Sequence, residues 1–250
     1  GGTPAYSSAE EVEKDGDPKD TAVLLGNPTA SAVGFTDGEV STGAEGAVRG
    51  ITVTENASGQ TLRFNADSGA VPTENQQADG LPVRWGRWAE SDYRIERGGE
   101  ALTTEGDFHY AFVEELTSAG ELAALNGQAT YTLAAGTTPT DHNGRGWAVN
   151  KLTVNVDFSG ASITGAGLDL TGPEGSTFDL QAPENAQLTP VFFLPLTGDF
   201  QHHGGTSTTA EGTLSGQFAG SEAQGMGVIY EVHDGDRTTF VNGAGMAIQQ

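Results

Sequence analysis

The sequence predicts an all-β protein: an antiparallel β-barrel preceded by a smaller strand-rich extension. Apolar and polar residues alternate through many short segments separated by turn residues every eight to twelve positions. Glycine accounts for 37 of 250 residues, and long runs of helix formers are nearly absent. A chain of this length buries a substantial core, which fits one large β domain or a barrel with an added unit.

Residues 1–20 (GGTPAYSSAEEVEKDGDPKD) are acidic and poor in apolar side chains, the composition of a mobile lead-in. They contain no basic or apolar signal-like run, so any export signal or lipid anchor is expected to have been removed or to lie outside this sequence. TAVLLG (21–26) is a short apolar segment that periodicity alone assigns neither to strand nor to helix. AVRGITVTEN (47–56) and QTLRFNADS (60–68) alternate as a hairpin about Ala57–Gly59, and GAVPTENQQADG (69–80) reads as a polar loop. The chain therefore divides into a lead-in at 1–20, an extension at 21–80 and a barrel at 81–250.

From residue 81 strand signals follow closely: LPVRWGRWAE, SDYRIERG, DFHYAFVEE, ATYTLAAG, NKLTVNVDFSG, ASITGAGLDLTG, STFDLQA, TPVFFLPL, EGTLSGQFAG, QGMGVIYEVHD and RTTFVNGAGMAI. In the hairpin at 151–170, closed by Ser159–Gly160, Leu152, Val154, Val156 and Phe158 share one face and are expected in the core. The exception to strand is TSAGELAALNG (117–127), where Thr117 or Ser118 can cap a short helix, Glu121 completes a capping box and Gly127 stops it.

Thirty-four acidic residues against eleven basic ones give a formal net charge of −23. Such a surface repels phosphate backbones and anionic headgroups, which argues against nucleic-acid and membrane-surface binding. No cysteine is present, so disulfides, thiolate metal sites and cysteine nucleophiles are excluded. No stretch reaches the roughly 18 apolar residues of a transmembrane helix.

WGRW (85–88), HYAF (109–112), the Tyr-Leu strand running into GTTPTD (136–141), the strand ending at Asp157–Phe158, GQFAG (216–220), GMGVIYEV (225–232) and VNGAGMAI (241–248) occur in an order that resembles a known family. It is the C-terminal β-barrel domain of transferrin-binding protein B-like bacterial surface proteins, with hemophilin-like and FecR-associated barrels among its relatives. The resemblance implies an eight-stranded, up-and-down-type antiparallel barrel filled by side chains, with residues 21–68 as a handle of short strands. It further implies a binding module on the outer surface, in the periplasm or outside the cell of a Gram-negative bacterium. Family ligands include a whole protein and haem, held by different loops, so no ligand residue carries over.

Five histidines are the haem or metal candidates. His202 and His203 follow the apolar strand VFFLPL, where an imidazole beside a hydrophobic wall suits haem, although neighbours on an extended chain point to opposite faces. His109 reads as a hydrogen-bonded barrel residue and His142 as part of a turn. Calcium is the weaker option: DGDPKD (15–20), TDGE (36–39) and HDGD (233–236) are acidic loops, but Asp-Gly is first a turn dipeptide. Four of the eight arginines, Arg84, Arg87, Arg94 and Arg97, fall within fourteen residues beside Trp85, Trp88 and Tyr93. Arg84, Arg87, Trp88 and Tyr93 are thus candidates for an anion or partner site, against pairing with Glu90, Asp92, Glu96 and Glu100. Because Trp85 and Trp88 are three apart, they should face opposite sides of a strand, one in the core and one partly exposed.

No nucleophile elbow, zinc-protease helix, Walker loop or dinucleotide fingerprint is present. The sequence therefore predicts a non-enzymatic binding or interaction module for a protein or small-molecule ligand at the cell envelope. The alternative is a self-assembling surface or filament subunit, a homo-polymer joined by strand addition through Ala22–Leu25.

Overall fold

The computed structural model describes residues 8–11, 22–26, 35–55 and 59–250. Its first half folds as two small sheets. In chain order their strands are β1 (Ser8–Glu11), β2 (Ala22–Gly26), β3 (Phe35–Thr42), β4 (Val48–Glu55), β5 (Thr61–Ala66), β6 (Glu74–Gln77), β7 (Val83–Trp88), β8 (Tyr93–Arg97), β9 (Glu100–Ala101) and β10 (Phe108–Val113). One sheet has the order β1-β2-β10-β7-β6 and the other β3-β4-β5-β8-β9. They face each other across Ile51, Leu62, Phe64, Trp88, Ile95 and Tyr110, with the Phe64 and Phe108 rings stacked at 3.8 Å.

Several segments differ from the sequence reading. Ser8–Glu11 of the acidic lead-in is a strand paired to β2; the rest of 1–20 lies outside the described residues. TAVLLG contributes a strand. The polar loop at 69–80 contains β6, which pairs with β7 although ENQQ has no apolar alternation, because backbone hydrogen bonds at a sheet edge do not require it. The WGRW and HYAF strands, β7 and β10, pair with each other and with β2 in this handle, while the strands that close the barrel begin at Gln128. Alternation looks the same in a sandwich and a barrel.

The second half is a closed barrel. Short helix α1 (Ala119–Ala124) leads in, with the Ser118 side chain accepting from the Glu121 N–H and Glu121 accepting from the Ser118 N–H, the capping box read from sequence. The strands are β11 (Gln128–Gly136), β12 (Thr140–Asp141), β13 (Ala148–Asp157), β14 (Ser162–Thr171), β15 (Thr177–Gln181), β16 (Ala186–Gln187), β17 (Val191–Gln201), β18 (Ser207–Ala219), β19 (Gly225–Asp234) and β20 (Phe240–Gln249). Eight of them, β11-β13-β14-β15-β17-β18-β19-β20, form an antiparallel meander closed by β11 pairing with β20; β12 extends β20 and β16 pairs with β14. Leu152, Val154, Val156 and Phe158 are all buried on the inner face. Tyr131, Phe178, Phe200, Phe218 and Tyr230 fill the lumen from several strands, so the barrel is a packed core.

The handle sheet lies between its partner sheet and the outer barrel wall. Phe108, Tyr110 and Phe112 of β10 face the handle core, while Ala111 packs on Ile229 and Ala244, and Val113 with Trp85 on Ala219. The two tryptophans do sit on opposite faces of β7, whose pairing is unbulged. Neither is partly exposed, however: Trp85 is 4% and Trp88 0% accessible, because both faces of this sheet are covered. The expected surface patch of aromatic and arginine side chains is therefore an internal layer.

Candidate functional site

Three polar regions emerge. The first is the barrel end at the β17–β18 hairpin. Ring contacts run from Trp147 to Phe178 (5.4 Å), on to Phe200 (4.5 Å) and then to the exposed imidazole of His202 (4.5 Å, edge-on). Trp147 lies so close to Gly172 that a Cβ there would meet its ring at 2.5 Å. His203 is also exposed but lies towards Gly175 of the neighbouring turn, the chain turning at 202–205 where the Gly205 N–H donates to the His202 carbonyl.

The second region is the arginine cluster. Arg84 reaches Glu114 at 3.2 Å, and Arg87 bridges Glu74 (2.8 Å) and Asp107 (2.6 Å). Glu74 also accepts from the Thr138 N–H, tying the handle to the barrel. Trp88 donates to the Val48 carbonyl at 2.9 Å beneath the Arg49 guanidinium, and Tyr93 donates to the Gly106 carbonyl at 2.6 Å. Arg94 pairs with Asp67 at the surface. The carboxylates that absorb Arg84 and Arg87 come from β6 and from the residues flanking β10, rather than from the nearby acids in sequence. Arg84, Arg87, Trp88 and Tyr93 are thus each engaged by partners within the handle, remote in fold from His202 and His203.

The third region was not legible in the sequence: a buried polar seam between handle and barrel. His109, fully buried, shares hydrogen bonds at 2.9 Å with Thr137 Oγ1 through Nδ1 and with Thr140 Oγ1 through Nε2. Burial, with the Arg87 charge adding to it, pushes its pKa down to about 3, so the ring is neutral. Thr140 pairs with Asn242, and Asn242 with Glu231, all on the outer barrel face under the handle. Glu231 is almost fully buried, and burial raises its carboxyl to about 8 despite the attraction of Arg237. Glu231 Oε2 and Asn242 Oδ1 have no hydrogen-bond partner. Alternation put Glu231 on an outward face; only the covering sheet makes that face dry.

On the uncovered wall, Asp169, Asp179 and Asp199 stand in direct register across β14, β15 and β17, with Lys151 opposite Asp169. Burial and the adjacent Asp179 raise the Asp169 pKa. At the HDGD turn, Asp234 accepts from the N–H groups of Thr238 and Thr239, so its carboxylate serves the turn. TDGE lies wholly within β3, and DGDPKD lies outside the described residues. No group of three metal-ligating side chains occurs among the described residues.

Among solved structures, the chain is similar to a mutant of transferrin-binding protein B from Haemophilus parasuis Hp5, at 12% identity over 92% of this chain and 44% of that one, with a TM-score of 0.43. It is also similar to isotype 1 transferrin-binding protein B from serogroup B Neisseria meningitidis, at 17% identity over 73% and 36% with a TM-score of 0.41, and to the intact two-lobed Ap-TbpB, at 15% identity over 80% and 38% with a TM-score of 0.34. The chain spans less than half the length of these proteins. No family model matches it, and no curated protein is found similar to it. Transferrin-binding protein B, whose family the motifs resemble, is among the solved structures found similar, and the description of the fold rests on the strand pairing itself.

Proposed function

We propose that this chain is a non-enzymatic binding module of the bacterial cell envelope whose ligand is a protein with a basic surface. The observation that carries this reading is the filled lumen: with Phe178, Phe200, Phe218 and Tyr230 packed across the barrel, a ligand meets the outer wall and the connecting loops. A net charge of −23, with Asp169, Asp179 and Asp199 aligned on the barrel wall, favours a cationic partner and electrostatically steered encounter. The test is capture of proteins from the extracellular medium on the immobilised chain, beside an Asp169→Asn/Asp179→Asn/Asp199→Asn variant. A partner retained at low salt, weakened in the variant and released at about 0.5 M salt is expected, since such salt screens exposed charges over a few ångströms. Equal retention by both proteins at all salt concentrations overturns it.

Haem at the barrel end is a second reading, favoured by the ring column that rises to the exposed His202. Haemin titration followed by absorbance tests it: a Soret shift abolished by His202→Ala/His203→Ala supports it, and an unchanged titration in that variant removes both residues. For the self-assembling subunit no such observation exists, because β2 is paired on both edges within its own chain, by β1 and β10.

A further inference from the structure

The handle–barrel seam contains two buried oxygen atoms that one proton would satisfy together. Glu231 and Asn242 are directly opposite each other in the β19–β20 ladder and point to the same outer face. Side chains so placed have Cβ atoms about 5 Å apart, within reach of each other. Glu231 Oε2 and Asn242 Oδ1 are both without a partner. An ionised carboxylate offers Asn242 Oδ1 only a second acceptor; a protonated one donates its O–H to it.

The lid over this pair belongs to the handle. Val113 of β10 packs against Gly227 and Ala111 against Ile229, which brings His109 to the level of Glu231; β2 pairs with β10 along the same stretch, His109 opposite Gly26 and Ala111 opposite Leu24. The charged and titratable groups around Glu231 are few. β20 and β2 carry none, as their sequences show. β10 supplies His109, with both ring nitrogens bonded to threonine hydroxyls, and β7 supplies Arg87, engaged by Glu74 and Asp107. On the barrel, β18 contributes Glu211, β19 contributes His233, whose Nδ1 contacts the Asp234 carbonyl, and the β19–β20 turn contributes Arg237.

We propose that Glu231 and Asn242 form a proton-controlled latch: the protonated carboxyl donates to Asn242 Oδ1 and keeps the handle closed on the barrel wall, and loss of that proton to solvent releases strand β2 from the wall. A carboxylate formed in this dry seam is stabilised by admitting water, and β2, which packs on β19 beside β10, is the element whose displacement admits it. The barrel, whose core lies inside its own wall, stays folded.

Hydrogen–deuterium exchange on the full chain from pH 6 to 9.5, corrected for the intrinsic pH dependence of amide exchange, tests the latch. Peptides spanning 22–26 and 109–113 are expected to lose protection by about tenfold for each pH unit as pH rises towards the raised pKa of the Glu231 carboxyl and to level off above it, while 152–158 holds its protection. In Glu231→Gln, whose amide donates to Asn242 at every pH, protection at 22–26 stays flat; Glu231→Met, with no titrating group, is likewise flat. Protection at 22–26 that is independent of pH in the wild type, or that falls equally in Glu231→Gln, overturns the proposal.

Discussion

At the scale of single residues, what a side chain touches on the far side of its sheet decides its worth. Trp88 fills the handle core and satisfies its indole N–H on the Val48 carbonyl, whereas Trp85 packs on the barrel side with its N–H unpartnered. Truncating either to Ala is expected to cost about 3–5 kcal/mol, because both faces of β7 are buried. Trp88→Phe should exceed Trp85→Phe by about 1 kcal/mol, the value of one buried hydrogen bond. Urea unfolding of the four variants checks the order. Between these rings Gly86 is required by close approach: a Cβ there would collide with the Tyr110 hydroxyl and the Glu74 carbonyl oxygen. Gly86→Ala should therefore destabilise by roughly 1–3 kcal/mol, as overpacking does, and unfolding midpoints would show it.

At the scale of elements, local signals and pairing partners carry different information. The start of α1 was readable, since Ser118 and Glu121 supply its capping box within four residues, whereas the helix ends at Ala124, before the Gly127 expected to stop it. Its exposed cap makes Ser118→Ala a loss of about 1 kcal/mol. The lead-in helix holds Leu122 in the barrel core, so the same change should raise exchange at 119–124 before it affects the barrel strands. The hairpin β13–β14 was legible because its turn and its alternation lie within one contiguous stretch. β6 was not, since its strand character comes from β7 alone. The arginine cluster illustrates the same limit: the excess of Arg in 84–97 was visible, but Glu74, Asp107 and Glu114 were assigned to Arg87 and Arg84 only by the strand order β10-β7-β6.

At the scale of the whole molecule, the seam that joins handle to barrel sets a pH dependence. His109 has a pKa of about 3 when folded against an ordinary value of 6.5, so the unfolded chain binds the extra proton between these limits and stability falls as pH drops below about 6.5. Glu231 behaves in the opposite sense. Its folded pKa of about 8 lies above the ordinary 4.5, so the folded chain holds the extra proton and stability falls as pH rises from about 4.5 to 8. Each acts with a slope of roughly 1 kcal/mol per pH unit, and they offset between about 4.5 and 6.5. Urea midpoints should show a plateau there with declines on both sides; Glu231→Gln should remove the alkaline decline and His109→Gln the acidic one.

The sequence by itself determined most of the barrel strands, the start of the helix, the inner face of the barrel and the acidic surface, because alternation, turn residues, capping and charge are properties of neighbouring residues. Tertiary structure alone decided which sheet each strand joined, that β7 and β10 belong to a layer covered on both faces, and that Glu231 is dry while Asp179 is wet. Both acids occupy outward positions on barrel strands. What separates them is a second sheet packed over one side of the wall, contributed by residues more than a hundred positions earlier, and a period-two pattern holds no information about a covering that distant.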